Sequence, residues 1–94
     1  MPDRDGYPTH MELKRLKKAA TAMDTRSVIK QLRELWCWSD YIVWRGGWLV
    51  LHTGGWSGNE TLIQCIQDTP FWWLHWRKST RGGHYWLKIS SREV

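Results

Sequence analysis

The stretch YIVWRGGWLVLHT, residues 41–53, is where the spacing of apolar residues along this chain changes from a helical period to the two-residue period of β-strands. Its two halves, 41–44 and 48–53, are rich in β-branched and aromatic residues. The Arg45-Gly46-Gly47 connection supplies the positive φ that a three-residue hairpin turn requires. We therefore predict a β-hairpin in which Trp44 pairs with Trp48. This pairing leaves both faces apolar, as in strands at the centre of a sheet or at an oligomer contact.

Two helical segments are predicted before this hairpin. Thr9 and Glu12 have the spacing of a capping box, which predicts a helix over about 9–22. A second helix, predicted over about 25–36, takes its cap from Asp24 or from its own first residue. No glycine or proline separates the two segments, so one long bent helix is also compatible with the sequence.

A third helix and a second hairpin are predicted after it. Ser57 and Glu60 repeat the capping-box spacing and predict a helix that is ended by Pro70. The closing hairpin is predicted from strands 71–77 and 84–90, joined by a basic tip that contains a second Arg-Gly-Gly.

These elements predict the α+β class. We expect two layers, in which an antiparallel sheet of about four strands, built from the two hairpins, packs under two or three helices in the order α-(α)-ββ-α-ββ. Residues 9–94 are expected to form this one domain. Residues 1–8, which include two prolines and a glycine, are expected to be a flexible N-terminal arm.

Tryptophan is the most unusual part of the composition, because it accounts for nine of the 94 residues. A domain of this size buries only about 60–70% of the surface of its unfolded chain, so some indoles are expected on an interaction surface. The net charge of +5 is uneven. Seven bases against three acids in 11–35, and five against one in 71–94, flank a middle segment with one base and three acids. This pattern favours an anionic partner.

The sequence also bears on location. No stretch approaches the roughly 20 apolar residues that cross a bilayer, and residues 1–10 are polar, so we expect a cytoplasmic protein without a membrane partner. Cys37 and Cys65 are expected to be free thiols, although their spacing does not exclude a disulfide.

One face and the tip of the closing hairpin combine indoles, imidazoles and cations. Pairing Arg77 with His84 turns an apolar set of side chains to the core and leaves the other face polar and aromatic. Aromatic rings stack on bases and cations neutralise phosphates. The leading prediction is thus a small non-enzymatic module that binds nucleic acid, preferably single-stranded, through Trp73, His75, Arg77, Lys78, Arg81, His84, Trp86 and Lys88.

Two other readings of the aromatic residues stay open. Tryptophan and arginine are also typical of protein interfaces, so the chain could be a protein-interaction or inhibitor module, or a homodimer, that uses Trp44, Trp48, Val50 and Trp56. Cross-strand aromatic and cation–π pairs also stabilise hairpins that bind nothing.

Catalysis and metal binding have weaker support. His75 and His84 could exchange protons in a metal-independent ribonuclease, because imidazoles titrate near neutral pH. The histidines and cysteines lack the short spacings of zinc sites, so we expect neither a metal nor another cofactor.

Overall fold

The computed structural model describes residues 7–90 and residue 92. It confirms the α+β class and the predicted order of helices and strands. The elements are α1 (His10–Thr21), α2 (Thr25–Leu35), a 3-10 turn (Ser39–Tyr41), β1 (Ile42–Arg45), β2 (Trp48–His52), α3 (Ser57–Gln67), α4 (Pro70–His75), β3 (Trp76–Thr80) and β4 (His84–Lys88).

The first two helices are separate, and each is capped by the predicted residue. The Thr9 backbone N–H donates to Glu12 Oε1 at 2.8 Å, and the Glu12 N–H donates to Thr9 Oγ1 at 3.2 Å, which completes the capping box. Met23 adopts a φ of 60° between the helices. Asp24 then caps α2 by accepting from the Ser27 N–H at 3.3 Å. The left-handed residue at Met23 breaks the chain into two helices without a glycine or proline.

The four strands form one antiparallel sheet in the order β1-β2-β4-β3, so the two hairpins meet through their inner strands. Leu49, Leu51 and Leu87 are fully buried on one face of this sheet. Helical side chains such as Leu16 and Phe71 belong to the same buried cluster. The helices therefore cover one face of the sheet, and no helix within residues 7–90 lies on the opposite face.

The predicted pairing of the first hairpin is wrong by one residue. Arg45 pairs with Trp48 and Trp44 with Leu49, so the turn contains only Gly46 and Gly47. Both glycines have positive φ, 57° and 83°, as a two-residue turn of this kind requires. A one-residue change of register exchanges the faces of a strand. The hairpin consequently has one core face and one open face, and it is not apolar on both.

The predicted strand over 71–77 is also wrong, because Pro70–His75 is the helix α4. Thr69 caps it by accepting from the Trp72 N–H at 3.4 Å, and Pro70 occupies the first turn, where no N–H is needed. The strand begins only at Trp76 and extends to Thr80, which makes the tip of this hairpin three residues long.

Two further expectations concern α3 and the N-terminal arm. The predicted capping box at Ser57 is wrong, because α3 begins at Ser57 itself and the preceding Trp56 makes no side-chain capping hydrogen bond. Residues 1–6 of the predicted arm lie outside the described residues. Tyr7 packs its ring 4.8 Å from that of Trp56, and its hydroxyl hydrogen-bonds to Ser57 Oγ.

Cys37 and Cys65 are both free thiols. Partial burial raises the pKa of the Cys65 thiol, although the charge of Lys17 opposes the shift. Among the described residues, no helix has the length and apolar character needed to span a membrane.

Candidate functional site

The open face of the sheet carries three rows of side chains that lie opposite one another across the two central strands. Trp48 of β2 is paired with Lys88 of β4, Val50 with Trp86, and His52 with His84. The outer strands extend these rows, because Arg45 is paired with Trp48, Val43 with Val50, Lys78 with Trp86 and Thr80 with His84. We call this set the open face; its members are Val43, Arg45, Trp48, Val50, His52, Lys78, Thr80, His84, Trp86 and Lys88.

Each indole of the open face has a lysine ammonium above it. Lys88 Nζ lies 4.8 Å from the centre of the Trp48 ring, and Lys78 Nζ lies 4.8 Å from that of Trp86. Cation–π pairs at such exposed positions contribute only about 0.5–1 kcal/mol each. The lysines are therefore placed beside the rings without being firmly held there.

A histidine pair occupies one end of the open face. The Nδ1 atoms of His52 and His84 are 2.7 Å apart, so a proton on one ring nitrogen is donated to the other. The His52 ring also meets the Trp86 ring edge-on, with 6.5 Å between centroids. Partial burial lowers the pKa of His52, and the charge of His84 lowers it further. A charge on His84 therefore opposes protonation of His52 across the hydrogen bond that the two rings share.

The shape and charge of the open face suit an anionic ligand. The open face forms a concave surface that encloses a volume of about 560 Å³. It is lined by Val43, Arg45, Trp48, Val50, His52, Lys78 and Trp86. The two hairpins, 42–52 and 76–88, contain five lysines and arginines and no acidic residue. Three of these five cations, Arg45, Lys78 and Lys88, belong to the open face.

The structure brings together some of the residues predicted for nucleic-acid binding and separates others. Lys78, His84, Trp86 and Lys88 are on the open face. Trp73 is 69% exposed but lies on α4, which packs against α1 and α3. Arg81 is in the exposed tip between β3 and β4.

Arg77 and His75 have local partners. Arg77 lies at an irregularity in the β3–β4 pairing, and its guanidinium donates to the carbonyl oxygens of Leu74 and Trp76 at 2.8 and 3.1 Å. His75 is only 2% exposed, on the core side of the sheet. Trp73 and His75 lie away from the open face because the helix α4 replaces the expected strand.

The ribonuclease hypothesis required His75 near His84, and the structure does not pair them. His75 Nδ1 hydrogen-bonds to the Lys88 carbonyl oxygen at 3.0 Å, and its Nε2 lies 3.4 Å from Thr25 Oγ1. The partner of His84 is instead His52. His75 connects α4 to α2 and β4, which is a structural role.

The four residues predicted for a protein interface do not form one surface. Trp48 and Val50 belong to the open face. Trp44 points to the other face, where it packs against the core, and Trp56 lies beside Tyr7 and Trp38. The corrected register of the first hairpin separates Trp44 from Trp48.

Sequence reasoning did not identify His52, Arg45 and Val43 as site residues. The signal that could have found them is the Gly46-Gly47 pair, which is typical of two-residue turns. That turn places Val43 and Arg45 of β1 on the same face of the hairpin as Trp48, Val50 and His52 of β2.

Within the described part of the chain, no three histidine, cysteine or acidic side chains are grouped so that they could hold a metal ion. Comparisons of the chain with protein-family models, with curated proteins and with solved structures find no match.

Proposed function

We propose that the protein binds single-stranded nucleic acid on the open face of its sheet. The observation that carries this proposal is the pairing of two solvent-accessible indoles with cations on a concave, acid-free sheet surface that none of the described helices covers. Open sheets with aromatic side chains are a common platform for unstacked bases.

The energetics favour exchange of the lysine–indole contacts for a ligand. A base stacked on an aromatic side chain contributes about 1–3 kcal/mol, against about 0.5–1 kcal/mol for an exposed cation–π pair. When bases stack on Trp48 and Trp86, Lys88 and Lys78 are displaced toward the solvent side, where the phosphates of the strand lie. One movement thus supplies both the stacking surface and its counterions.

Single strands are favoured over duplexes because the exposed rings need unpaired bases. Trp48 is 37% exposed and Trp86 is partly buried in the concave surface, and each ring has a lysine ammonium over one face. None of the helices described in the structure lies on this face, where it could enter a major groove.

The proposal is tested by fluorescence anisotropy of a labelled single-stranded oligonucleotide titrated with the protein over a salt series. Neutralisation of three phosphates by Arg45, Lys78 and Lys88 predicts a slope of log K against log salt of about −2. Trp86→Ala should weaken binding by about 5–150-fold, which is the loss of one stacked base.

Matched controls separate the open face from the rest of the surface. Trp73→Ala removes an exposed indole from α4, and Lys30→Gln removes an exposed lysine charge from α2. Both should leave the affinity within twofold, while Lys78→Gln should weaken binding and make the salt slope shallower. Equal effects of Lys78→Gln and Lys30→Gln would show that the interaction is nonspecific attraction to a basic protein.

A protein ligand is the competing use of the same surface. The strands of the open face are acid-free and basic, which favours a polyanion. If the oligonucleotide does not bind at low salt while Trp86→Ala prevents capture of a protein partner, the nucleic-acid proposal is wrong.

A further inference from the structure

A second group of aromatic rings continues from the open face to the N-terminal segment. The Tyr41 ring lies edge-on to His52 at 6.4 Å, Trp38 lies 5.4 Å from Tyr41, Trp56 lies 6.3 Å from Trp38, and Tyr7 lies 4.8 Å from Trp56. We call Tyr41, Trp38, Trp56 and Tyr7 the aromatic track. It meets the open face at His52.

Three of the four rings of the track are exposed although they are large, and Trp56 is partly buried. Trp38 is 50% exposed, Tyr41 40% and Tyr7 37%. These residues come from three separate segments of the chain, Tyr7, residues 38–41 and Trp56, so the fold has brought the segments into one row. Contiguous exposed aromatic surface of this kind marks an interaction site.

Backbone geometry holds the rings of Trp38 and Tyr41 in place. Trp38 has a φ of 64°, in the left-handed region that bulky residues rarely adopt. Because the Trp38 ring is half exposed, burial in the core does not account for this backbone conformation. Strained residues of this type are concentrated at ligand sites.

Gly54 supports the same two rings from below. A Cβ atom built on Gly54 would lie 2.5 Å from Tyr41 Cε2 and 2.8 Å from Trp38 Cζ3, so both rings rest directly on the glycine backbone. Gly55 has a similar φ, 75° against 63°, but nothing within 4 Å of its added Cβ. The two positions therefore differ mainly in whether a methyl group would displace the track.

We propose that the bound strand leaves the sheet at His52 and continues along the aromatic track, with bases stacked on Tyr41 and Trp38. This inference rests on the proposed function and deepens it, because it makes the ligand a strand longer than the open face alone accommodates. Asp40, exposed beside Tyr41, favours bases rather than phosphates against this part of the surface. The strand's phosphates then remain on the solvent side of the track.

The test compares two lengths of oligothymidylate, about 4 and about 10 nucleotides, which lie within the range of site sizes that small single-strand-binding domains occupy. Trp38→Ala should weaken binding of the longer oligonucleotide at least about fivefold, the lower value for one stacked base, and leave the shorter one within twofold. Trp86→Ala should weaken binding of both lengths.

Gly54→Ala and Gly55→Ala provide a second comparison that keeps all the rings. Only Gly54→Ala should reduce the preference for the longer oligonucleotide, because only its methyl group displaces Trp38 and Tyr41. Urea unfolding of the same variants confirms that each is folded at the assay temperature.

The outcomes distinguish this inference from the proposal on which it rests. If the unmodified protein binds both lengths and Trp38→Ala changes neither affinity, or changes both equally, the extension along the track is wrong and the open-face proposal stands. If the unmodified protein binds neither length at low salt, the open-face proposal is wrong, and the extension with it.

Discussion

A methyl group added at Gly83 should weaken the contact between the two hairpins of the sheet and so lower the stability of the fold. Thr53, just after β2, donates its backbone N–H to the Gly83 carbonyl oxygen at 2.9 Å, just before β4. Gly83 has a φ of 80°, and an added Cβ would lie 2.0 Å from Thr53 Oγ1 and 3.1 Å from Thr53 Cβ. Thr53 is fully buried, so it has no room to move away.

The magnitude of the Gly83→Ala effect has two parts. An alanine in the left-handed region costs about 1–2 kcal/mol. Forcing a methyl group into a packed site costs about 1–3 kcal/mol more. Gly46, in the other hairpin turn, has a φ of 57° and nothing within 4 Å of its added Cβ, so Gly46→Ala should lose only the first part.

Urea unfolding followed by tryptophan fluorescence measures both variants under the same conditions. We expect Gly83→Ala to lose about 2–5 kcal/mol and Gly46→Ala about 1–2 kcal/mol. For a domain of this size the difference corresponds to a gap in Tm of at least about 4 °C. Equal losses in the two variants would show that Thr53 does not pack against Gly83, and would refute the junction described here.

Three other predictions concern His52, His75 and Thr69. Because the folded state lowers the pKa of His52 below its ordinary value of 6.5, the unfolded chain binds more protons, and the free energy of unfolding should fall as the pH falls through 6.5. His52→Gln should make the free energy of unfolding less dependent on pH, as measured by urea unfolding at pH 7.5 and 5.5. An unchanged pH dependence in this variant would contradict the lowered pKa of His52. His75→Ala should lower the free energy of unfolding by about 2–3 kcal/mol, because it loses contacts with Lys88 and Thr25, and it should leave the oligonucleotide affinity of the folded protein unchanged. A loss of binding without a loss of stability would show that His75 belongs to the binding site. Thr69→Ala should cost about 1–2 kcal/mol and Thr69→Ser much less, since the hydroxyl caps α4 and donates to the Ile66 carbonyl oxygen at 2.6 Å; equal losses by thermal unfolding would argue against the cap.

Local signals in the sequence were sufficient for most of the architecture. The caps at Thr9 and Asp24 and the two glycine-containing hairpin turns depend on residues a few positions apart. The structure has both caps where they were predicted, and it has both hairpins, although each turn is shorter than predicted. The class and the order of elements follow from these local features.

The error over residues 71–77 arose where local signals competed. The segment FWWLHW, 71–76, has the aromatic content of a strand, but Thr69 and Pro70 are typical of a helix N-terminus. The prediction used Pro70 only as the end of the preceding helix. The helix prevails because Phe71 and Trp72 bury their rings in the core from α4. The strand propensities of the residues do not take this burial into account.

The composition of the open face depended on a single residue of register. With Trp44 opposite Trp48 the first hairpin places both indoles on one face, whereas with Arg45 opposite Trp48 it adds Arg45, Trp48 and His52 to the open face. The pairing of β2 with β4 is nonlocal, and no spacing along the chain predicts it. The aromatic track depends on contacts of the same nonlocal kind.

The most direct measurement of where nucleic acid binds is a titration of the protein with a single-stranded oligonucleotide, followed through the nine indole N–H resonances in ¹⁵N-correlated NMR spectra. Binding on the open face predicts that the resonances of Trp48 and Trp86 shift first and most, while those of Trp72 in the core and Trp73 on α4 stay in place. Shifts confined to Trp73, or no shift of any indole at low salt, would contradict it.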